Sequence, residues 1–243
     1  MRVTSRMMVE NAIQHMEDNL ERLAALQEKT ATGKEFQAAS EDPARAALSL
    51  SLRSTLQTNT AYVDTARVTA DWLDANELAL KQMVDIAARS QTLAKQGLPD
   101  TQGAAERLAM GREMDSLLQQ AVEAANTSHR GSYLFAGFRT TTRPYTYTGA
   151  GVTNNVPSTV GPIQPGIAPG QTITVNVDGN TVFTPLFSAL VAARDALNAN
   201  DTAALQTALG SLQTALTGVS DVRTTNGARQ QQVRDTIDRM EKT

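Results

Sequence analysis

Cysteine is absent from this chain of 243 residues, and histidine occurs only twice. The lack of cysteine excludes disulfide bonds, thiolate nucleophiles and cysteine-bound metals. Neither His15 nor His129 has a second histidine or a paired acidic motif at ligand spacing, so we expect no metal or cofactor at either. The acidic residues are scattered over predicted helix surfaces, which favours solvated faces over an acid–base pair. The sequence therefore predicts a protein that is not an enzyme.

Aromatic residues make up only 4% of the chain, which predicts slender helical layers rather than one large globular core. No apolar run approaches the roughly 20 residues that span a bilayer, so we expect no membrane segment. The net charge is −3 and there is no basic run, so we expect no nucleic-acid partner. The N-terminus lacks the apolar core of a secretory signal, and an exported chain would therefore use another route.

Glycine and proline are also absent between Pro43 and Gly97. Asp42 followed by Pro43 is a strong helix start, because the carboxylate caps exposed amides and proline at the first helical position loses no hydrogen bond. A helix from Ala44 to Gln96 would be about 80 Å long. Within this stretch, mostly apolar residues recur at alternating spacings of four and three and so lie along one face of the helix. This seam consists of Leu52, Leu56, Asn59, Val63, Ala66, Ala70, Leu73, Glu77, Leu80, Val84, Ala87, Gln91 and Ala94. Trp72 and Leu73 are expected to pack antiparallel on the third and last helices.

Three further helices are predicted from the same periodicity. The first runs from about Ser5 to Thr30 and stops at Gly33, and the third runs from about Thr101 to Ser128. The last begins at Thr184-Pro185 and breaks at Asn198 to Thr202. Its second part carries a seam in which three polar members mark a weak or solvent-touched section: Leu205, Leu209, Leu212, Leu216, Val219, Arg223, Asn226, Gln230, Val233, Ile237 and Met240.

Between these helices, residues 132–184 are rich in Thr, Gly, Pro, Val and Asn. Thr172 to Val177 alternates like a strand, Asp178-Gly179 predicts a hairpin turn, and Thr181 to Phe183 would form the returning strand. The predicted fold class is mainly α, a long antiparallel helical bundle or coiled coil with a small β-rich insertion. Two short motifs in the chain, Asn126-Thr127-Ser128 and Gly149-Ala150-Gly151, are interpreted as structural rather than as a glycosylation site and a phosphate loop.

The first helix carries an apolar stripe without an evident partner: Val9, Ile13, Met16, Leu20 and Leu23. An amphipathic helix at a chain end must bury this face on something. The polar face is more acidic than basic, which argues against an anionic membrane surface. We therefore predict that these five residues contact a helix of another molecule.

Several segments resemble one family, that of the bacterial flagellar hook-associated protein 3, the hook–filament junction proteins, which share part of their signature with flagellins. The segments are Met1-Arg2-Val3-Thr4-Ser5-Arg6-Met7-Met8, Thr30-Ala31-Thr32-Gly33-Lys34, Ala39-Ser40-Glu41-Asp42-Pro43-Ala44, Ala125-Asn126, Gly131-Ser132-Tyr133-Leu134-Phe135-Ala136-Gly137-Phe138, Arg143-Pro144-Tyr145 and Gly227-Ala228-Arg229. The resemblance covers nearly the whole chain apart from the β insertion. The signature residues are Ser40, Asp42, Pro43, Asn126, Gly131, Tyr133, Leu134, Phe135 and Gly137.

The resemblance implies a radial, flagellin-like arrangement of three parts. Residues 1–39 would form an inner helix and linker, residues 40–139 with 186–243 a helical middle domain, and residues 140–185 an exposed outer insertion. Family members end in a further helix that pairs with the N-terminal one, and this chain stops at Thr243. We therefore expect residues 1–27 to be disordered in isolation or packed against another copy.

The resemblance also implies a structural protein without cofactors, exported by the flagellar type III apparatus to the extracellular hook–filament junction. Its implied partners are other copies of itself, the neighbouring hook-associated protein, flagellin and an export chaperone. A flagellin filament subunit is the first alternative, which the Asp42-Pro43 start and the Tyr133 to Gly137 motif disfavour. A signalling helical bundle is the second alternative. The β insertion and the lack of a membrane segment argue against it. An enzyme would need a convergent polar pocket, for which the sequence offers no residues.

Overall fold

The computed structural model describes residues 2–36, 38–156 and 161–242, with side chains from Arg6 onward. The chain forms two compact units, one up to Thr58 and one from Asn59 onward. The helices are α1 Arg2–Thr32, α2 Pro43–Gly97, α3 Ala104–Ala125, α4 Gly179–Asn198 and α5 Thr202–Glu241. The predicted class, mainly α with a small β component, is confirmed.

The predicted helix ends hold where a cap or a glycine defines them. The backbone N–H of Arg45 donates to the Asp42 carboxylate at 3.0 Å, which caps α2 as expected. Gly33 has φ +64° directly after α1, a conformation that glycine adopts easily and that ends a helix. Between α4 and α5, Asn200 has φ +55° and the Asp201 carboxylate accepts from the amides of Ala203 and Ala204. The predicted break between these two helices is therefore confirmed.

In the unit from Asn59 onward, α2 runs antiparallel to both α3 and α5. On the α3 side, Arg89 Nε donates to Glu113 at 2.9 Å and Arg107 Nε donates to the Gly97 carbonyl at 2.8 Å. On the α5 side, an ion pair of 2.6 Å joins Arg67 to Glu241. Helix α4 packs on α3 and α5. The core between the helices is built from fully buried side chains that include Leu80, Met83, Leu118, Phe183, Leu190 and Leu212.

The predicted seams are buried over most of their length. The buried part of the α2 seam extends from Val63 to Ala94, whereas the seam residues Leu52 and Leu56 in the first unit are exposed. Leu73 packs with Val233 of α5 in a small cluster that also contains Ile167, Ile173 and Val175, which confirms the expected packing on the last helix. Trp72 meets His129 edge-on, with ring centroids 6.3 Å apart, just beyond the end of α3.

Between α3 and α4, the described residues form three antiparallel strand pairs. They are β1 Ser128–His129 with β2 Ser132–Tyr133, β3 Tyr145–Tyr147 with β4 Val152–Asn154, and β5 Gly166–Ala168 with β6 Gln171–Thr172. The first pair turns through Arg130 at φ +49° and Gly131 at φ +80°, the two positive angles of a tight hairpin turn.

Four predictions about the start of α4 are wrong. The strand expected over Thr172 to Val177 ends at Thr172, and Asp178-Gly179 forms no hairpin turn. Thr181 to Phe183, expected to form the returning strand, is helical. The Asp178 carboxylate instead caps α4, accepting from the Asn180 amide at 3.0 Å and the Thr181 hydroxyl at 2.7 Å. The helix thus starts before Thr184-Pro185, and Pro185 lies inside it. This is tolerated because Pro185 is exposed, and the Thr181 carbonyl that it cannot bond belongs to an exposed residue.

Candidate subunit interface

The five apolar residues predicted to contact another molecule lie on one face of α1. Val9, Ile13, Met16, Leu20 and Leu23, which we call the inner stripe, are each between 50% and 66% exposed. Residues 2–32 are helical. The expectation that residues 1–27 are disordered in isolation or packed against another copy stays a prediction. Large exposed apolar surfaces on soluble proteins mark interaction sites, which favours the predicted role of the stripe.

The unit up to Thr58 has almost no core of its own. Among its described side chains, Ala46 is the only apolar one that is buried, at 7% exposure. The first turns of α2 expose further leucines: Leu48, Leu50, Leu52 and Leu56. This unit therefore presents apolar surface to its surroundings rather than enclosing it.

The signature residues Ser40, Asp42 and Pro43 form the turn that starts α2. The Glu41 amide donates to the Ala38 carbonyl at 3.0 Å, and the Ala38 amide donates back to the Glu41 carboxylate at 3.3 Å. Asp42 then caps the helix and pairs with Arg45 at 3.2 Å. These residues have a local structural role, since they fix where the long helix begins.

The remaining signature residues fix the path of the chain from α3 into the insertion. We call them the second group: Asn126, Gly131, Tyr133, Leu134, Phe135 and Gly137. The side-chain amide of Asn126 donates to the Tyr145 carbonyl and accepts from the Tyr145 amide, both at 2.9 Å. Asn126 is only 9% exposed, so its amide serves packing rather than glycosylation. Gly137 takes φ +59°, and the Tyr133 amide donates to the Thr140 carbonyl at 2.7 Å.

Leu134 and Phe135 anchor the same segment in the core. Leu134 is completely buried, and the Phe135 ring meets Phe183 of α4 edge-on with centroids 4.7 Å apart. Such edge-to-face contacts favour a fixed mutual orientation of the rings. The structure brings this second group of signature residues together around the base of the insertion, well separated in sequence from the inner stripe.

One polar cluster was missed by the sequence analysis. Arg194 of α4 is largely buried and donates to Asp115 of α3 at 3.0 Å and to the carbonyls of Gly149 and Ala150 at 2.9 Å. The Tyr147 hydroxyl donates to the same carboxylate at 2.7 Å. The glycine-rich Gly149 to Gly151 turn is thus held by a guanidinium, as a structural turn. One sequence feature could have indicated this cluster: Arg194 lies beside the apolar stripe of Leu190, Ala193 and Leu197.

The electrostatics of this cluster favour the charged form of Asp115. Burial raises the pKa of Asp115, but hydrogen bonds from Tyr147, Arg194 and Gln119 outweigh it and hold that pKa below its ordinary value. Hydrogen bonding to Asp115 also raises the pKa of Tyr147. The cluster therefore clamps the β3–β4 hairpin onto α3 and α4 as long as the carboxylate is ionised.

A second polar group lies between α2 and α5, where three seam residues were expected to be weak or solvent-touched. Arg223 pairs with Glu77 at 2.6 Å, and Gln230 donates to the Leu73 carbonyl at 3.1 Å. Asn226 also donates to this carbonyl, at 3.0 Å, and is only 1% exposed. The expectation of solvent contact is wrong for Asn226, because its amide hydrogen bond allows it to be buried.

The described residues offer little for ligand chemistry. No three of their His, Asp or Glu side chains come together as a metal-binding group. No helix in the described part of the chain combines the length and apolar character that a membrane crossing needs. His15 is exposed on α1, and the partly buried His129 contacts the Trp72 ring.

The fold is shared with solved flagellar proteins. FlgL of Bacillus cereus has a TM-score of 0.72 and 21% identity, covering 81% of this chain and 96% of its own. A flagellar hook-associated protein of Vibrio parahaemolyticus has a TM-score of 0.77 and 16% identity, covering 84% of this chain and 95% of its own. The flagellar junction protein FlgL of Legionella pneumophila has a TM-score of 0.65 and 15% identity, covering 76% of this chain and 98% of its own. A flagellin of Bacillus cereus is less similar, with a TM-score of 0.54 and 19% identity, covering 72% of this chain and 86% of its own.

The chain has no significant match among curated protein sequences. Residues 3–140, however, match the family described as the bacterial flagellin N-terminal helical region. The match extends over more than half of the 243 residues and includes α1, α2, α3 and the second group of signature residues. This chain therefore belongs to the family of the bacterial flagellin N-terminal helical region.

Proposed function

We propose that this protein is a structural subunit of the bacterial flagellum that joins the hook to the flagellin filament through subunit packing. The observation that carries the proposal is the unit up to Thr58, which exposes the inner stripe and encloses almost no core. Such a unit gains its stabilising burial from neighbouring molecules in an assembly. A junction is an assembly of this kind, with no chemical step for the protein to perform.

The junction role is supported over that of a filament subunit by the fold. The TM-scores against two FlgL structures and a hook-associated protein are 0.65 to 0.77, whereas the flagellin reaches 0.54. The segment from Tyr133 to Gly137, by which the sequence resembles the junction proteins, is built into the base of the insertion. A flagellin role is therefore the less supported alternative.

The proposal includes location and partners. The protein would act outside the cell, at the hook–filament junction, after unfolded export with the help of a chaperone. Its partners would be other copies of itself, the neighbouring hook-associated protein and flagellin. Residues 1–39 would form the inner part, residues 40–139 with 186–243 the middle part, and residues 140–185 the exposed outer part. The role requires no cofactor, nucleic acid or membrane contact.

A deletion strain tests this proposal. If the gene is removed from its source bacterium, we expect hooks without filaments in electron micrographs and flagellin monomers in the medium. The wild-type gene supplied on a plasmid should restore filaments. Normal filaments in the deletion strain would refute the junction role.

The contribution of the inner stripe is tested in the same strain. A gene carrying Ile13→Asp and Leu20→Asp should fail to restore filaments, because two carboxylates cannot be buried in an apolar contact without large cost. The matched control carries Asn11→Asp and Ala25→Asp, which place the same residues on the opposite face of α1 and should restore filaments. Equal filament formation by both genes would exclude the stripe as the contact surface.

A further inference from the structure

Asn226 is followed by Gly227, and this is the one Asn-Gly pair in the sequence. An asparagine is chemically labile when the backbone nitrogen of the next residue can attack its side-chain amide carbon. Glycine has no Cβ to hinder this approach, and it adopts readily the backbone angles that the attack needs. The pair is therefore the position of this chain at which the reaction is least hindered by the neighbouring residue.

In the folded chain both reacting groups are engaged elsewhere. Residues 202–241 form α5, and in an α-helix the Gly227 amide donates to the carbonyl of Arg223, four residues earlier. The Asn226 side-chain amide donates to the Leu73 carbonyl at 3.0 Å, and Asn226 is 1% exposed. The attack would break the helix hydrogen bond and withdraw the side chain from its contact with α2. The fold therefore opposes the reaction at both groups.

We propose that Asn226-Gly227 is a site of spontaneous deamidation that is closed in the folded chain and open in the unfolded chain. A chain that stays unfolded for long would then lose the ability to form the buried contact between α2 and α5. The site is independent of the proposed function, since it follows from the chemistry of the pair and from its burial.

The reaction needs no reagent other than water. The Gly227 backbone nitrogen forms a bond to the Asn226 side-chain carbon and loses its proton, while the bond from that carbon to the side-chain nitrogen breaks and ammonia leaves. Water then opens the cyclic imide. Cleavage at the side-chain carbon gives aspartate, whereas cleavage at the main-chain carbon gives isoaspartate, in which the backbone runs through the former side chain.

Neither product fits the contact that Asn226 makes. A carboxylate has no hydrogen to donate, so an aspartate in its place would set an acceptor against the Leu73 carbonyl and would bury a charge. Isoaspartate adds a carbon atom to the backbone and so interrupts the hydrogen-bond pattern of α5. Val233, which lies further along α5 and packs with Leu73, would be displaced as well. The modification therefore acts on folding.

Gly227→Ala is the matched control variant. Beyond its own helix backbone, a Cβ at Gly227 would meet none of the described atoms within 4 Å, so alanine fits the fold. Alanine also favours a helix more than glycine does. The variant keeps Asn226 and its hydrogen bond, but the added methyl group hinders the attack on the side-chain carbon.

Deamidation of the two full chains, wild type and Gly227→Ala, is compared in buffer and in guanidinium chloride at neutral pH over several days. Trypsin cleavage after Arg223 and Arg229 releases a peptide with no other asparagine, and mass spectrometry measures its modified fraction. We expect wild type in guanidinium to react several-fold faster than wild type in buffer and several-fold faster than Gly227→Ala in guanidinium. After guanidinium is removed, size-exclusion chromatography should yield a folded wild-type fraction that is depleted of the modified peptide.

Three results would overturn the proposal. Similar rates for wild type in buffer and in guanidinium would show that the fold does not protect Asn226. A wild-type rate in guanidinium no higher than that of Gly227→Ala would show that the pair is not specially reactive. Equal modification of the folded and misfolded wild-type fractions would show that the α2–α5 contact accepts the products. None of these results bears on the junction role, which the deletion strain tests.

Discussion

The side-chain amide of Asn126 forms two hydrogen bonds with the Tyr145 backbone, one to its carbonyl and one from its N–H. A neighbouring β-strand would satisfy the same two backbone groups. The substitution Asn126→Ala leaves a buried backbone N–H and carbonyl without these partners. We expect it to lower the free energy of unfolding by about 1–3 kcal/mol, the usual cost of unsatisfied buried polar groups. Urea unfolding followed by circular dichroism measures this change.

The control for this prediction is Asn155→Ala. Asn155 also bonds a backbone carbonyl through its side chain, that of Arg143 at 3.1 Å, but it is exposed. Water replaces its lost bonds, so we expect a change within about 0.5 kcal/mol. Equal effects of the two substitutions would mean that Asn126 has no special role in fixing the insertion.

The clamp around Arg194 gives the protein a pH dependence at the acid end. Because the folded-state pKa of Asp115 is lowered, its contribution to stability is present above its unfolded pKa of about 3.9. The contribution is lost as the pH falls through the lower, folded value. We therefore expect amide exchange in the β3–β4 hairpin to accelerate relative to α3 below about pH 4.

The variant Asp115→Asn distinguishes the effect of protonating Asp115 from the effect of protonating the other carboxylates. It removes the titrating group while keeping a hydrogen-bond acceptor for Arg194 and Tyr147. Exchange in the hairpin should then be faster at neutral pH, and the additional acceleration below pH 4 should disappear. An unchanged acid profile in the variant would assign the effect to other carboxylates.

At the scale of elements, a buried polar contact joins α2 and α5. The Asn226 side-chain oxygen is buried and has no hydrogen-bond partner among the described residues. The Leu73 carbonyl that Asn226 bonds also accepts from Gln230, so it keeps a partner when Asn226 is replaced. We expect Asn226→Leu to raise the free energy of unfolding by about 1 kcal/mol.

Thr225→Leu is the matched control, because Thr225 is the exposed neighbour of Asn226 on α5. Its substitution should change the free energy of unfolding by less than about 0.5 kcal/mol. Both variants are compared with wild type by chemical denaturation. A loss of stability in Asn226→Leu would indicate that the amide hydrogen bond outweighs the buried, unpaired oxygen.

The sequence predicted elements well where one local signal was unambiguous. The start of α2 at Asp42-Pro43 and the seam from Val63 to Ala94 follow directly from capping and periodicity. Asp178-Gly179 carries a signal shared by hairpin turns and helix starts. The helical spacing of Phe183, Leu186, Phe187 and Leu190, all buried, decides between them. The turn at Arg130-Gly131 was missed because arginine rarely takes a positive φ.

The candidate interface was predictable to a different degree. The inner stripe follows from spacing alone, and the structure shows its residues exposed on one face of α1. The Arg194 clamp joins α3, α4 and the Gly149-Ala150 turn, which are far apart in sequence, so no local pattern identifies it. The burial of Asn226 was unpredictable for the same reason, since it depends on the Leu73 carbonyl of a distant helix.

At the scale of the whole molecule, the buried core and the exposed inner stripe lie in different units. Nearly all buried apolar side chains among the described residues lie in the unit from Asn59 onward, with Ala46 the exception before it. The free energy of unfolding therefore comes mainly from that unit. Under the proposed function, the unit up to Thr58 would supply surface for contacts, and its helices would be marginal without a partner, because isolated helices gain little from propensity alone.

Removal of residues 1–57 tests this division. The shortened chain starts at Thr58, whose side chain can cap the new helix end. We expect its free energy of unfolding to stay within about 0.5 kcal/mol of that of the full chain, because the residues removed bury almost no apolar surface. In the full chain, amide exchange of α1 should be fast compared with α3 and α4.

Removal of residues 220–243 is the contrasting truncation, since it is shorter yet takes away Asn226 and Val233. Leu73, which is fully buried beside Val233, would then be uncovered together with its carbonyl. We expect a loss of more than about 3 kcal/mol, comparable with emptying a large core position. Similar losses for the two truncations would show that the first unit shares in the cooperative core. A stable chain without residues 1–57 that no longer restores filaments in the deletion strain would assign assembly to the first unit and folding to the second.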